Sequence, residues 1–306
     1  MALIPLIIAF SAITHTAHGH SSFVRIKTDG EWHKPLQYIR NKTSPYDELK
    51  FYESNFLYRY YNWPTYIIDR PESVRCGRDN MNHSQETEVL SVRAGETIEI
   101  AHQREEPSSW TDDMFYNCTD DRGSCFHIPG WAQDFIHPGP LLIHLSKVPN
   151  GQDIRTYDGS GEWVKIHTLG LTNPRYDQPL NWTLYRKDPP HLTFKIPAQT
   201  PPGQYLMRMD VIWSGATNEY IHIGDDGSLA QMYPTCAQLN IQSELKAEFP
   251  KGVKIPEIFQ PLEPGKCMTT SWDMMNNLKL DENYTYPGGP LWNGEELVID
   301  KPVVLE

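Results

Sequence analysis

The residues with the most chemical potential stand near the start of the chain. Leu3 to Ile13 is apolar but too short to span a bilayer as a helix. The small, polar run Thr14-His15-Thr16-Ala17-His18-Gly19 follows it. This is the layout of a cleaved secretory signal over residues 1–19, with the small residues Ala17 and Gly19 placed before the cut. Cutting after Gly19 makes His20 the mature N-terminus; cutting after Ala17 makes it His18. Either residue then offers a primary amine and an imidazole together, a ready chelate for copper. A second imidazole completes three nitrogens in a tetragonal plane, which suits Cu(II).

Other reactive side chains are less suggestive. His33, His83, His102, His127, His144, His167 and His191 show no H-x-H or H-E-x-x-H spacing, and His144 and His167 fall inside strand patterns, which marks them as structural. Glu105-Glu106 and Asp112-Asp113 are adjacent acids whose side chains point apart, so they read as solvated charge rather than as a glycosidase pair. The aromatic stretch Phe51 to Tyr66 is either a packed loop or a flat stacking surface for sugar rings. Five cysteines leave at least one outside any intramolecular set. Cys118 and Cys125 flank a short loop that can close a local disulfide. Cys267 can instead pair with either of them, bond another chain or stay a buried thiol. Asn41, Asn82, Asn117, Asn181 and Asn283 open N-x-S/T sequons, which fit an exported, glycosylated chain.

The elements that must position these groups are short strands. Phe23 to Lys27, Trp163 to Ile166 and Leu192 to Ile196 alternate; Leu141 to Leu145, Tyr205 to Trp213 and Ala237 to Ile241 read as further strands. Val89 to Val92 and Thr97 to Ile100, joined through Ala94-Gly95, look like a hairpin. No comparable stretch has a 3.6-residue period. The expected fold is all-β, an immunoglobulin/fibronectin III-like antiparallel β-sandwich with long surface loops at Lys34 to Arg75 and Arg104 to Pro138. The sandwich is expected over residues 20–250, and residues 251–306 form a Pro-rich arm packed on it or extending from it. The balance of 27 Lys and Arg against 39 Asp and Glu gives a net charge of −12. Without a basic cluster this argues against nucleic acid as a partner. No later apolar run reaches membrane-spanning length.

Six segments in order carry a family resemblance. His20-Ser21-Ser22-Phe23 resembles the H-x-x-F mature start of fungal lytic polysaccharide monooxygenases of auxiliary activity family 9. Val74-Arg75-Cys76-Gly77 resembles that family's first disulfide cysteine, and Val92 to Thr97 its V-x-A-G-[DS]-T turn. His137-Pro138-Gly139-Pro140 with Leu145-Ser146-Lys147 is similar to H-x-G-P…L-[AS]-K. Gly161 to Ile166 is similar to G-x-W-F-K-I, and Gln231 to Leu239 to Q-F-Y-x-x-C-A-Q-L. The resemblance spans about residues 20 to 242. It implies one copper ion held by His20, through amine and imidazole, and by His137. Tyr233 would be the distant axial residue, with Gln231 beside it, and Cys76 would bond Cys236. The register H-x-x-F selects His20 over His18. The implied activity is oxidative cleavage of cellulose or a related β-1,4-glucan by C1 or C4 hydroxylation, outside the cell. An external electron donor and O2 or H2O2 would be needed.

The chain departs from the family at one strand. The family's L-R-x-E-x-I-A-L-H-S carries a histidine, whereas the matching Leu206 to Gly215 has none; His222, further on, is a candidate substitute. This departure motivates one alternative, a secreted copper-binding or cell-wall-associated protein without oxygenase activity; a metal-free carbohydrate-binding sandwich is the second.

Overall fold

The structure, a computed structural model, describes residues 20–44, 61–67, 71–128, 133–187, 191–213, 230–259, 280 and 282–305. The signal segment, the first part of the aromatic stretch, His222 and Cys267 lie outside the described residues.

Among these residues the strands form two sheets. Four strands make the smaller one: β1 (Ser22–Thr28), β2 (Glu31–Trp32), β4 (Thr97–Gln103) and β7 (Leu192–Lys195), in the order β2-β1-β4-β7. The larger holds β3 (Leu90–Arg93), β5 (Leu141–Lys147), β6 (Glu162–Leu169), β8 (Gly203–Trp213) and β10 (Thr235–Gln242). It also holds β12 (Leu291–Trp292) and β13 (Leu297–Val298), in the order β13-β12-β6-β5-β8-β10-β3. β9 (Gln231–Met232) pairs with the end of β8, and β11 (Val253–Lys254) with β6. Most pairings are antiparallel; β10 with β3 and β12 with β6 run parallel.

The inner faces pack by alternation except in β1, where a bulge between Phe23 and Arg25 turns both Phe23 and Ile26 inward. Phe23, Ile26, Ile98 and Ile100 of the small sheet meet Ile143, Leu145, Met207, Met209, Val211 and Leu239 of the large one, all buried. Each such side chain contributes roughly 1.5–3 kcal/mol. β8 is buried along most of its length because both of its faces are covered. Tyr205, Met207, Met209 and Val211 point into the sandwich. Leu206 and Ile212 pack instead against Val74 and Cys76 of the short helix α1 (Ser73–Cys76), and against Ile255 and Phe259. This outer layer also receives Arg208 and Asp210.

The hairpin expected at residues 89–100 does not form. Val92 pairs with Ile241 in the large sheet and Ile98 with Phe194 in the small one, so the Ala94-Gly95 turn carries the chain between sheets. Backbone bonds from Ala94 to Gln242 and from Gly95 to Ile196 fasten it to both. Among the described residues after 250, Val253 pairs with Trp163 and Leu291 with Lys165 along β6, and buried Lys165 Nζ meets Asp300 at 2.6 Å.

Two buried histidines and the half-buried His167 make stability depend on pH. Burial pushes His102 down to about 4, His144 well below its ordinary value and His167 down as well. A histidine with a folded-state pKa below its unfolded value of about 6.5 takes up more protons when unfolded, so its contribution to stability falls as pH drops from about 6.5 toward 4. The urea midpoint is expected to fall across that window, at up to about 1.4 kcal/mol per pH unit for each fully buried ring. His102→Gln should flatten the slope.

Candidate metal centre

His20 is followed by buried Ser21 and by the start of β1 at Ser22, so the pairing of Ser22 with Gln103 fixes where His20 emerges. A second anchor acts on the same residue: buried Lys42 donates from Nζ to Ser22 Oγ at 2.6 Å and lies 4.7 Å over the Tyr61 ring. His137 sits in the segment leading into β5. That segment is wedged against the end of β8, where Ile212 N donates to Pro140 O at 3.1 Å. Gly139 permits the approach, since a Cβ there would lie 1.8 Å from the Ile212 carbonyl oxygen. Gly139→Ala is therefore expected to lower stability by roughly 1–3 kcal/mol through backbone displacement. The thermal midpoint would read this. Gln231 and Tyr233 are brought in by β9, in which Gln231 faces Trp213 of β8.

The rings converge. His20 and His137 lie 5.3 Å apart between centroids, and Tyr233 is 5.5 Å from His20 and 6.2 Å from His137. The Tyr233 hydroxyl donates to Gln231 Oε1 at 2.7 Å, and Tyr233 N donates to Asp210 Oδ1 at 2.6 Å. Burial, reinforced by the Asp210 carboxylate, raises the phenol well above its ordinary pKa, so Tyr233 stays protonated. Burial lowers His137 to about 4, which keeps its imidazole neutral, the form that ligates a metal. Its Nε2 is buried and has no hydrogen-bond partner among the described residues. A buried ring nitrogen left without a partner costs free energy unless something binds it.

These residues fit copper. The described residues contain no cluster of three or more His, Cys, Asp or Glu. The nitrogen set is thus two imidazoles plus the amine that cleavage would free, with a protonated phenol beside them. Three nitrogens without a thiolate suit Cu(II) better than zinc or calcium.

Several further residues support this set, of which the sequence marks only Trp63, as part of the aromatic stretch Phe51 to Tyr66. Trp63 touches the His20 ring edge-on at 4.6 Å, and Trp213 lies face to face with His137 at 4.5 Å and 7°. Buried Arg78 donates to the carbonyls of Trp63 and Pro64 at 2.6 and 2.7 Å, gripping the segment that carries Trp63. Asp210 is fully buried and ion-paired with Arg208. Their roles come from long-range packing, and beyond Trp63 only the charged residues within a buried-strand pattern hint at them.

The remaining candidates lie elsewhere. Cys76 is bonded to Cys236 and Cys118 to Cys125. The second pair closes a loop docked on Arg25, whose Nη1 donates to Gly123 O at 2.8 Å. Asn82, Asn117, Asn181 and Asn283 are exposed and Asn41 is half-buried. Glu105 and Glu106 are not a solvated run: Glu105 is buried against His127, and Glu106 accepts from Tyr61 N at 2.9 Å. His144 bonds Gly288 O at 2.9 Å, although its Nδ1 has no partner among the described residues.

Two histidines and a tyrosine gathered at one end of the sheets, one histidine at the start of the first strand, define a class: the β-sandwich with a nitrogen-donor centre. The profile of Auxiliary Activity family 9 (formerly GH61) matches residues 20–284, and the chain belongs to that family. Among its relatives is AA9 family lytic polysaccharide monooxygenase G of Aspergillus tamarii, 27% identical over 286 residues, 93% of this chain and 69% of that one. AA9 family lytic polysaccharide monooxygenase C of Emericella nidulans is 25% identical over 291 residues, 94% and 98% of the two chains. The fold is shared with the crystal structure of HiLPMO9B (TM-score 0.57, 19% identity, 90% and 100% of the two chains). It is also shared with the extended catalytic domain of H. jecorina LPMO9A, also called EG4 (TM-score 0.55, 22% identity, 92% and 94%).

Proposed function

We propose that the processed, secreted chain is a copper-dependent monooxygenase that cleaves a β-1,4-linked glucan by hydroxylation at C1 or C4. Family membership supports an oxidoreductase acting on polysaccharide. The observation that carries the copper reading is the buried, partnerless Nε2 of His137 beside the His20 ring.

His20, through amine and imidazole, and His137 would hold the ion. Bound copper would supply a one-electron couple, fed by an external donor, and an open position for O2 or H2O2. The chain's own part is to fix and tune. His137 stays neutral down to about pH 4 and so keeps its lone pair available across the working range. Tyr233 keeps its proton and directs it at Gln231 Oε1. That bond fixes the orientation of the Gln231 amide beside the site, a role that residues just behind a metal's ligands often fill. The half-buried Trp63 beside His20 offers an apolar ring face where an uncharged glucan would stack.

Correctly processed protein, its N-terminus checked by mass spectrometry, should bind one copper per chain. With reductant and cellulose it should release oxidised oligosaccharides. A second reading rests on the strand Leu206 to Trp213, which carries no histidine: a copper-binding protein without oxygenase activity on the same scaffold. Copper bound with no oxidised product would select it. A mature start at Ser21, or no copper bound, would overturn both.

A further inference from the structure

Gln231 is hydrogen-bonded and Tyr233 is held at two points, but the polar contacts around His137 leave its Nε2 without a partner among the described residues. What does contact this ring is Trp213, nearly parallel at 7° and 4.5 Å between centroids. His20 and Tyr233 also face it, tilted by 33° and 24°.

Trp213 is the last residue of β8 and is itself fixed twice. In the ladder it stands opposite Gln231, and the preceding residue, Ile212, bonds Pro140 O of the segment carrying His137. The backbone at Trp213 is thus held in place, and a displacement of its indole would be felt by His137 through stacking. The chain places a large, buried aromatic plane at the point where the strand meets the centre.

We infer that Trp213 is a positioning residue for the metal centre: its indole face sets the plane of the His137 imidazole so that Nε2 faces the ion. This rests on the copper reading above. An imidazole donates along its ring plane, so a ring free to rotate about its Cβ–Cγ bond presents its lone pair to the metal only part of the time. Stacking on a fixed indole restricts that rotation without a hydrogen bond. Face-to-face aromatic contact is an interaction with definite geometry, and a leucine of similar apolarity cannot replace it.

The test compares Trp213→Phe with Trp213→Leu in processed, metal-free protein, using CuSO4 titrated by calorimetry and the Cu(II) electron paramagnetic resonance spectrum of the loaded forms. The phenylalanine variant should keep affinity within about twofold and keep a single spectral species, because a flat ring still faces the imidazole. The leucine variant should lose about tenfold in affinity and give a heterogeneous or shifted spectrum, the scale typical of losing a residue that orients a ligand. Equal affinity and an unchanged spectrum in the leucine variant would overturn the inference while leaving the copper reading intact. Wild-type protein that takes up no copper would overturn both. Should the leucine variant not fold, wild type against the phenylalanine variant decides. Copper must quench the part of the fluorescence that Trp213→Phe removes, and its failure to do so overturns the inference.

Discussion

Replacing His137 by alanine is expected to lower copper affinity by more than a hundredfold while leaving the sandwich folded. Binding free energies of protein metal sites run to about 10 kcal/mol or more, so one of three nitrogens carries roughly 3 kcal/mol, a little over two decades in Kd. The fold should tolerate the change because His137 lies ahead of β5 rather than in a ladder, and because alanine removes a buried nitrogen that has no hydrogen-bond partner among the described residues. Calorimetry reads the first effect and the thermal midpoint the second. The pH dependence has a definite sign. Since burial holds His137 at about 4, proton competition at this ring should set in only as pH falls toward 4, well below the ordinary histidine range. A copper affinity that collapsed already at about pH 6 through this residue would contradict the geometry.

The largest stability loss is expected from Asp210→Ala. Asp210 is fully buried, pairs with fully buried Arg208 and accepts the Tyr233 backbone N–H. Removing it strands the Arg208 guanidinium in the interior, a change worth about 3–5 kcal/mol. Burial already pushes the Asp210 carboxyl up to about 6 despite Arg208, which shows how costly charge is at this depth. The double variant Asp210→Leu with Arg208→Met should recover much of that loss, because a matched apolar pair leaves no buried charge unpaired. It should not restore the placement of Tyr233, whose amide loses its acceptor in both variants. Urea denaturation separates the single from the double variant, and the Cu(II) spectrum should report the Tyr233 defect in each.

Strands are legible in this sequence, but their partners are not. Alternation marks Phe23 to Lys27 and Leu192 to Ile196 because each strand has one face on the core. Gly95 marks a turn, yet nothing local says that Val92 will pair with Ile241 and Ile98 with Phe194, both far along the chain. The apparent hairpin is a sheet crossing for that reason. At the site, an N-terminal histidine, His20 or His18, is legible from the cleavage layout, whereas the choice of His20 and the roles of His137, Gln231 and Tyr233 are legible only by resemblance; the structure brings His20 together with those three. Trp213, Arg78 and Asp210 are invisible beforehand because stacking, a grip on distant carbonyls and a buried ion pair exist only once β8, β9 and α1 are assembled.

The two disulfides face different surroundings. Cys76 and Cys236 are both wholly buried, while Cys118 and Cys125 are each partly exposed. A thiol, one kind of donor that could feed the proposed centre, opens a disulfide only by bringing its thiolate onto a sulfur. The covalent tie between α1, next to Arg78, and β10, next to Tyr233, is the one a donor cannot touch without first unfolding the chain. The tie that solvent can reach is the small loop on the flank. In such a molecule a thiol would nick the periphery, yet leave the frame of the proposed centre closed to it.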